Sequence, residues 1–456
     1  MVVNDSVMRG SMHQKLLQVT AYKFADILSS KAFRVITFVL LARWLDLDII
    51  GIIGIAEGFL AILGFLEFSF ISIIYRDDSS GQQSEYFSAA YYFWLLQSLA
   101  MLAVAIISGI FMSYHKGSML VLIAILGQTF SFALTAGMDI SRSFFSIDLR
   151  QRLVFTVNFL LGLLSSIALI ILYYRPSLML YMLILTVNSA LGFYLWTSLL
   201  VKCFHVHLLP WKESYPLIRR GFAGFAVWNY LNKSSYDTIL MVDTFILGIF
   251  ASYHDVGNYT VALKLTSIFL IVPTLISSVV TVFIKRYGHS DADLLVNHSV
   301  KYSFVLSLLQ LAVFMLLGKT LLNYILPHGD KNIIFIYALL MNIGVVFLNI
   351  TRPFQSLILV KGNIKEAFIK VSMPSIIFGL MVYSLLAWGW GAMGTALANI
   401  SVYAVTAAVS AWYVINRSLL KWRFELISKE ERNLINIYRL KAATLYDRQK
   451  SNWRIP

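Results

Sequence analysis

Apolar runs recur along nearly the whole chain and are separated by short polar breaks. Many of them reach about 20 residues, the length that a helix needs to cross a bilayer. The pattern lacks the alternating ten-residue segments of membrane barrels. We therefore predict an all-α polytopic membrane protein with about twelve transmembrane helices, near residues 18–42, 49–74, 87–113, 118–139, 153–174, 178–202, 221–250, 257–284, 302–326, 333–359, 366–388 and 391–416.

A polar break at residues 205–220 divides the predicted spans into two sets of six. Each set opens with a span that carries several polar residues, which favours an internal repeat of the kind found in transporters. We expect an N-terminal six-helix lobe at 1–204, a cytoplasmic linker at 205–220 and a C-terminal six-helix lobe at 221–418. The two six-helix lobes are expected to surround a central cavity.

The composition agrees with a membrane protein, because 59% of the 456 residues are hydrophobic, 13% are charged and the mean hydropathy is +0.74. A soluble chain of this length needs more charge to cover its surface. Counted over the segments that connect the predicted spans and the adjoining ends of those spans, 27 Lys and Arg residues fall on the side of the N-terminus and 4 on the opposite side. The positive-inside rule then places both termini in the cytoplasm. This distribution explains most of the net charge of +14 without a nucleic-acid partner.

Several classes of activity are disfavoured by what the sequence lacks. The outer connections at 114–117, 174–177 and 389–392 are short, so no extramembrane domain can hold a catalytic core. No glycine-rich phosphate loop occurs. The one cysteine, Cys203, cannot form an internal disulfide or a CxxC metal site. We expect a protein that is not an enzyme and that needs no cofactor or metal.

The tail at 419–456 is basic and amphipathic. From Arg417 onward the chain carries 10 basic residues against Glu425, Glu430, Glu431 and Asp447, and apolar residues recur at roughly helical spacing. We expect a helix that lies on the anionic inner leaflet of the membrane. Docking of a partner protein is the alternative function of this tail.

The first span carries Lys23, Asp26, Lys31 and Arg34 within its apolar run. A charged side chain near the middle of a membrane helix costs roughly 2.5–3.5 kcal/mol on insertion scales. At 100° per residue these charges form one stripe along the helix. Such a stripe is too costly to face lipid, so we expect it to face the bundle interior or a water-filled cavity.

Other spans repeat this arrangement of intramembrane charge. Asn229, Lys233 and Asp237 follow each other at intervals of four residues on the seventh span, and Lys264 lies on the eighth. Lys31, Arg34 and Lys264 have no acidic partner within one helical turn, so the excess is cationic and suits an anionic cargo. The alternative is that the charges form internal ion pairs, Lys23 with Asp26 and Lys233 with Asp237, that hold helices together.

We predict two groups of site residues. Those expected to bind an anionic substrate in the cavity are Lys23, Lys31, Arg34, Lys233 and Lys264. Those expected to balance this charge or to bind a coupling ion are Asp26, Glu57, Glu67, Asp237 and Asp243.

Three stretches resemble polysaccharide-transporter proteins. Residues 40–76 resemble the opening of that family, with Arg43, Gly51 and Arg76 in the expected places. Residues 243–268 resemble its passage from the seventh to the eighth span, with matches at Asp243, Gly248, Gly257, Tyr259 and Ala262. "GWGAMGTALAN" resembles the glycine-rich start of its last span.

The resemblance implies a lipid-linked oligosaccharide flippase of the O-antigen (Wzx) type, in the superfamily that also holds the multidrug exporters (MATE) and the lipid II flippases. Its implied substrate is an undecaprenyl-pyrophosphate-linked glycan of lipopolysaccharide biosynthesis, moved across the bacterial inner membrane by alternating access. A proton or sodium ion would be the coupling ion, and membrane lipids, a polysaccharide polymerase and a chain-length regulator would be the other partners. Lipid II flippases usually carry two further spans, which this sequence lacks.

Two alternative functions remain open. A MATE-like exporter of small molecules would favour an acidic, cation-binding cavity, whereas the intramembrane charge here is basic on balance. A membrane-embedded polysaccharide polymerase would favour a large extracytoplasmic loop, and the sequence contains none.

Overall fold

The protein is described by a computed structural model, which covers residues 3–67, 83–221, 225–270, 289–326 and 330–420. Within these ranges the chain is helical apart from short connections, and no strand occurs. The first half contains α1 (Val3–Trp44), α2 (Leu47–Leu63), α3 (Gln83–Lys116), α4 (Met119–Ile147), α5 (Gln151–Leu169), α6 (Ile171–Tyr174) and α7 (Leu178–Phe204). The second half contains α8 (Trp211–Gly221), α9 (Phe225–Phe250), α10 (Tyr253–Ile268), α11 (His289–Ile325), α12 (Lys331–Lys361), α13 (Ile364–Ala367), a π-helical turn (Phe368–Ser372) and α14 (Met373–Asn416).

The helices agree with the predicted spans. Seven described helices are long and apolar enough to cross a bilayer. One of them, the 53-residue stretch 364–416, holds the last two predicted spans and is broken at Gly391, whose φ of 56° and ψ of −135° suit a residue without a Cβ. α1 and α9 have 42 and 26 residues, and charged side chains interrupt their apolar surface. The prediction of an all-α polytopic fold with about twelve spans is confirmed.

The predicted linker at 205–220 contains the short helix α8, which packs on α3. The Tyr92 hydroxyl donates a hydrogen bond to the Leu209 carbonyl at 2.9 Å, and the Leu209 amide donates to Ser88 Oγ at 2.8 Å. Ser214 and Ile218 of α8 are buried. The amphipathic helix predicted for the tail falls almost wholly on residues 421–456, which lie outside the described residues.

The main core joins the two halves of the chain through α2, which packs along α9 and α10. Glycines allow this approach, because a Cβ built on Gly51 would lie 2.0 Å from the Tyr253 carbonyl oxygen, and one built on Gly257 would lie 2.1 Å from the Leu47 carbonyl oxygen. A backbone approach this close admits only a residue without a side chain. α2 of the first half of the chain therefore packs directly against α9 and α10 of the second half.

Candidate functional site: a charged cavity

Two opposite faces of α1 are exposed, and they differ in chemistry. Lys23 and Arg34 are exposed on one face. Leu28 and Ile36, on the other, are 51% and 43% exposed. An apolar exposed face suits lipid, whereas a cationic face in the middle of a spanning helix requires water or polar partners. The exposed apolar face of α1 is therefore suited to lipid, and its exposed cationic face is suited to a polar interior.

The third face of α1 packs on α5. Phe33 and Phe159 meet edge to face with ring centroids 5.4 Å apart. Beside them Asn158 Nδ2 donates a hydrogen bond to Asp26 Oδ1 at 2.9 Å. The carboxylate of Asp26 is therefore fixed by a neutral donor of another helix, and the structure shows no ion pair between it and Lys23.

α9 contributes charge from the opposite half of the chain. Lys233 and Asp237 are both exposed, although they lie in the interior of a predicted membrane span. Lys233 interacts electrostatically with Glu67 of the first half and with Asp139 of α4. Asp237 interacts electrostatically with Lys233 and with Arg352 of α12. Both halves therefore contribute to one electrostatic site.

Lys31 connects α1 to the same site, because it experiences the charges of Arg34 and of Arg352. Three cationic groups are thus concentrated between α1 and α12. Among the described residues no carboxylate forms an ion pair with Lys23, Lys31, Arg34 or Lys233. Cations that have no ion-pair partner in this part of the chain can bind an anion.

Lys264 differs from these four cations. Its Nζ forms an ion pair with Glu57 Oε2 of α2, and the two side chains are 28% and 23% exposed. The spacing within one helix could not reveal this partner, because the two residues are 207 positions apart. The charge of Lys264, one of the residues predicted to bind an anionic substrate, is therefore neutralised by Glu57.

Asp243 is separated from the cavity. It is fully buried and accepts hydrogen bonds from the Tyr259 hydroxyl, from Asn399 Nδ2 at 3.3 Å and from the Thr244 amide at 2.8 Å. Asn399 in turn accepts from the Tyr383 hydroxyl at 2.8 Å. These contacts join α9, α10 and α14, so Asp243 holds three helices together through satisfied buried hydrogen bonds.

The structure adds residues that the predicted groups omitted. Arg142 and Asp139 of α4 form an ion pair at 2.8 Å with 34% of each side chain exposed. The guanidinium of Arg352 lies 4.6 Å from the centre of the Tyr236 ring. The i, i+3 spacing of Asp139 and Arg142 could have indicated the first pair. The hydrogen bond from Asn158 to Asp26 could not be predicted from the sequence, because a single Asn in an apolar span does not identify its partner.

The formal charges of this cavity favour an anion. Its cationic members are Lys23, Lys31, Arg34, Arg142, Lys233 and Arg352, and its acidic members are Asp26, Glu67, Asp139 and Asp237. Among the residues that the structure describes, six cations against four carboxylates leave a formal excess of two positive charges, while the Glu57–Lys264 pair adds none. No cluster of three or more potential metal ligands occurs among the described residues.

No protein-family model and no curated protein matches the sequence. Solved structures do match. One is the lipid II flippase MurJ in an inward closed conformation, with a TM-score of 0.66, 17% identity and 87% of each chain covered. Another is an inward-facing multidrug resistance transporter of the MATE family and MOP superfamily, with a TM-score of 0.60, 14% identity, and 85% of this chain and 95% of that chain covered.

A third similar structure is a MOP-superfamily transporter from Pyrococcus furiosus, described as having a binding pocket of reversed polarity. Its TM-score is 0.54 at 12% identity, and 89% of this chain and 94% of that chain are covered. At these identities the similarity is one of fold. The chain therefore has the fold of these transporters, and its substrate must be inferred from its own residues.

Proposed function

We propose that the protein is a flippase that moves an undecaprenyl-pyrophosphate-linked oligosaccharide, an O-antigen or related glycan repeat unit, from the cytoplasmic to the periplasmic leaflet of the bacterial inner membrane. The observation that supports this proposal is that Lys23, Arg34 and Lys233 are exposed within predicted spans and form no ion pair among the described residues. A polar anion that must cross the membrane needs such partners, because burying unpaired charge in low dielectric is very costly.

The exposed faces of α1 fit the two ends of such a substrate. Lys23 and Arg34 would bind the pyrophosphate in the cavity, and the fork of Arg34 can donate two parallel hydrogen bonds to one phosphate. Leu28 and Ile36, on the opposite face, would leave the polyprenyl chain in contact with lipid. A headgroup in the cavity and a chain in the bilayer are the geometry that flipping requires.

The carboxylates of the cavity would balance its charge when no substrate is bound. Asp26, Glu67 and Asp237 lie near the cations that the pyrophosphate would bind. Protonation of one of them, or binding of sodium to it, would change the net charge and could couple an ion gradient to transport. We assign the coupling role to this group and not to Asp243, because Asp243 is enclosed by hydrogen-bond donors.

A MATE-like exporter of small cations is the second candidate function. The four carboxylates of the cavity and the fold similarity to MATE transporters favour it. The excess of two positive charges opposes it, since a cationic drug would be repelled when the carboxylates are paired. The two candidates therefore predict opposite charge selectivity.

Transport by the purified protein in liposomes tests the proposal. We expect a fluorescent polyprenyl-pyrophosphoryl sugar to move between leaflets in proteoliposomes, measured by its accessibility to a reductant added outside. A cationic dye such as rhodamine 6G should not be accumulated and should not compete. Transport of the dye without transport of the pyrophosphoryl lipid would contradict the flippase and favour the exporter.

A further inference from the structure

The predicted periplasmic ends of α2 and α10 are closed against each other by the glycine contacts described above, and α9 joins them because a Cβ built on Gly248 would lie 2.5 Å from Ile55 Cγ1 of α2. We call these contacts the outer seal. Thr260 of α10 belongs to it, because a Cβ built on Gly54 would lie 2.1 Å from Thr260 Oγ1. Thr260 is 2% exposed. Alternating access requires contacts between the two halves on this side to separate before a substrate can leave.

The end of α3 caps the outer seal. Lys116 Nζ donates a hydrogen bond to the Ala251 carbonyl at 2.8 Å, and His115 Nε2 lies 3.1 Å from the Ile249 carbonyl oxygen. Both carbonyls are at the C-terminal end of α9, where unsatisfied carbonyls and the helix dipole favour a cation. This cap holds the seal from its outer surface.

An ion pair holds the same seal from the cavity. Glu57 is ten residues after the start of α2 and Lys264 is eleven residues after the start of α10. At 1.5 Å per residue they lie about 15 Å and about 17 Å from the outer ends of their helices. Both side chains are partly exposed, so water and anions can reach them. The pair therefore joins α2 to α10 at the inner limit of the seal.

We propose that the Glu57–Lys264 ion pair is a lock on the outer seal that an anionic headgroup opens from the cavity. A phosphate carries more charge than one carboxylate and competes with Glu57 for Lys264. Once Lys264 binds the phosphate, Glu57 faces a like charge and is repelled. α2 and α10 then lose the ion pair that joins them on the inner side of the glycine contacts, and the outer seal can separate. The identity of the anion rests on the proposed function, whereas the lock itself does not.

Thiol accessibility within the seal tests the lock without any glycan. Cys203 is exposed and is replaced by Ser, after which Thr260→Cys supplies one reporter thiol. This replacement is nearly isosteric and removes a hydroxyl that has no hydrogen-bond partner. We expect Glu57→Gln and Lys264→Gln each to raise the rate of maleimide labelling in lipid nanodiscs about tenfold. The charge swap Glu57→Lys with Lys264→Glu should restore slow labelling, which general destabilisation would not.

Asp48→Asn is the matched control, because it removes another carboxylate of α2 that pairs with α10. The Asp48–His254 pair is at the rim, with side chains 62% and 57% exposed, and exposed pairs contribute little. We expect its labelling rate to equal that of the parent. Unchanged labelling in both Glu57→Gln and Lys264→Gln would overturn the lock.

Sodium pyrophosphate tests the anion. It should accelerate labelling of the parent several-fold and leave the already fast Glu57→Gln variant unchanged, whereas sodium chloride at equal ionic strength should have no effect. If pyrophosphate does not change the labelling rate of the parent, anions do not open the lock, even if both single variants label fast. Failure to transport a pyrophosphoryl lipid would refute the proposed function while leaving these labelling rates as they are.

Discussion

Replacing Gly257 with Ala should measure how tightly the two halves are joined. The added Cβ would lie 2.1 Å from the Leu47 carbonyl oxygen and 2.8 Å from its carbonyl carbon. Since Cβ contacts below 3.0 Å essentially do not occur, α10 must move at least 0.9 Å, the difference between 3.0 and 2.1, away from α2. Overpacking of this kind costs about 1–3 kcal/mol. The atoms in the way belong to the backbone, so rotation of a side chain cannot relieve the clash.

Gly389→Ala is the control, because nothing lies within 4 Å of its added Cβ. Each variant is heated in detergent, and the fraction that stays monodisperse is measured by fluorescence-detected gel filtration. We expect Gly257→Ala to lose monodispersity several degrees below the parent and Gly389→Ala to match the parent. If Gly257→Ala is as stable as Gly389→Ala, the close contact of α2 with α10 does not exist as described.

Three further predictions concern stability and topology. Asn399→Leu should lower the melting temperature, because it removes a donor from the buried carboxylate of Asp243, and gel filtration after heating measures the loss. Reporter fusions at Lys116 should report the periplasm and fusions at Lys212 the cytoplasm, and a cytoplasmic signal at Lys116 would overturn the orientation. Deletion of residues 424–456 should leave a membrane-inserted protein with reduced or normal activity, and loss of all inserted protein would assign that segment a role in folding.

The fold can be predicted from the sequence because each helix is indicated by residues that are close together in the chain. The length of the apolar runs predicted the helices, and the break at Gly391 coincides with the glycine-rich stretch between the last two spans. The helical spacing of Lys23 and Arg34 predicted a shared face, and the structure leaves both side chains exposed. Whether that face binds an anion stays a prediction.

The contacts between helices cannot be predicted from the sequence alone, because they join residues that are far apart in the chain. The Glu57–Lys264 pair and the Asn158–Asp26 hydrogen bond depend on how helices pack, which spacing within a single helix does not encode. The polar break at 205–220 predicts a linker and gives no sign of α8, the eleven-residue helix that the structure shows there. Its docking on α3 depends on hydrogen bonds with side chains that precede it by more than 100 residues.

The residues that carry the family resemblance have a structural explanation. Gly51 and Gly257 allow the close approach of α2 to α10, and Tyr259 donates to the buried carboxylate of Asp243. These three residues therefore have a packing role. The resemblance accordingly supports the fold more strongly than it supports any substrate, and the specificity must be read from the exposed charges.

Glycan export by an Arg34→Ala, Lys233→Ala double variant tests the anion cavity most directly. The measurement is surface polysaccharide in a strain that lacks its own flippase, with the amount of membrane-inserted protein quantified alongside. Lys319→Ala, which removes an exposed lysine near the end of α11, is the control. We predict that the double variant inserts and accumulates but exports no glycan, while the control exports normally. Normal export by the double variant would contradict the anion cavity, although the fold would stand.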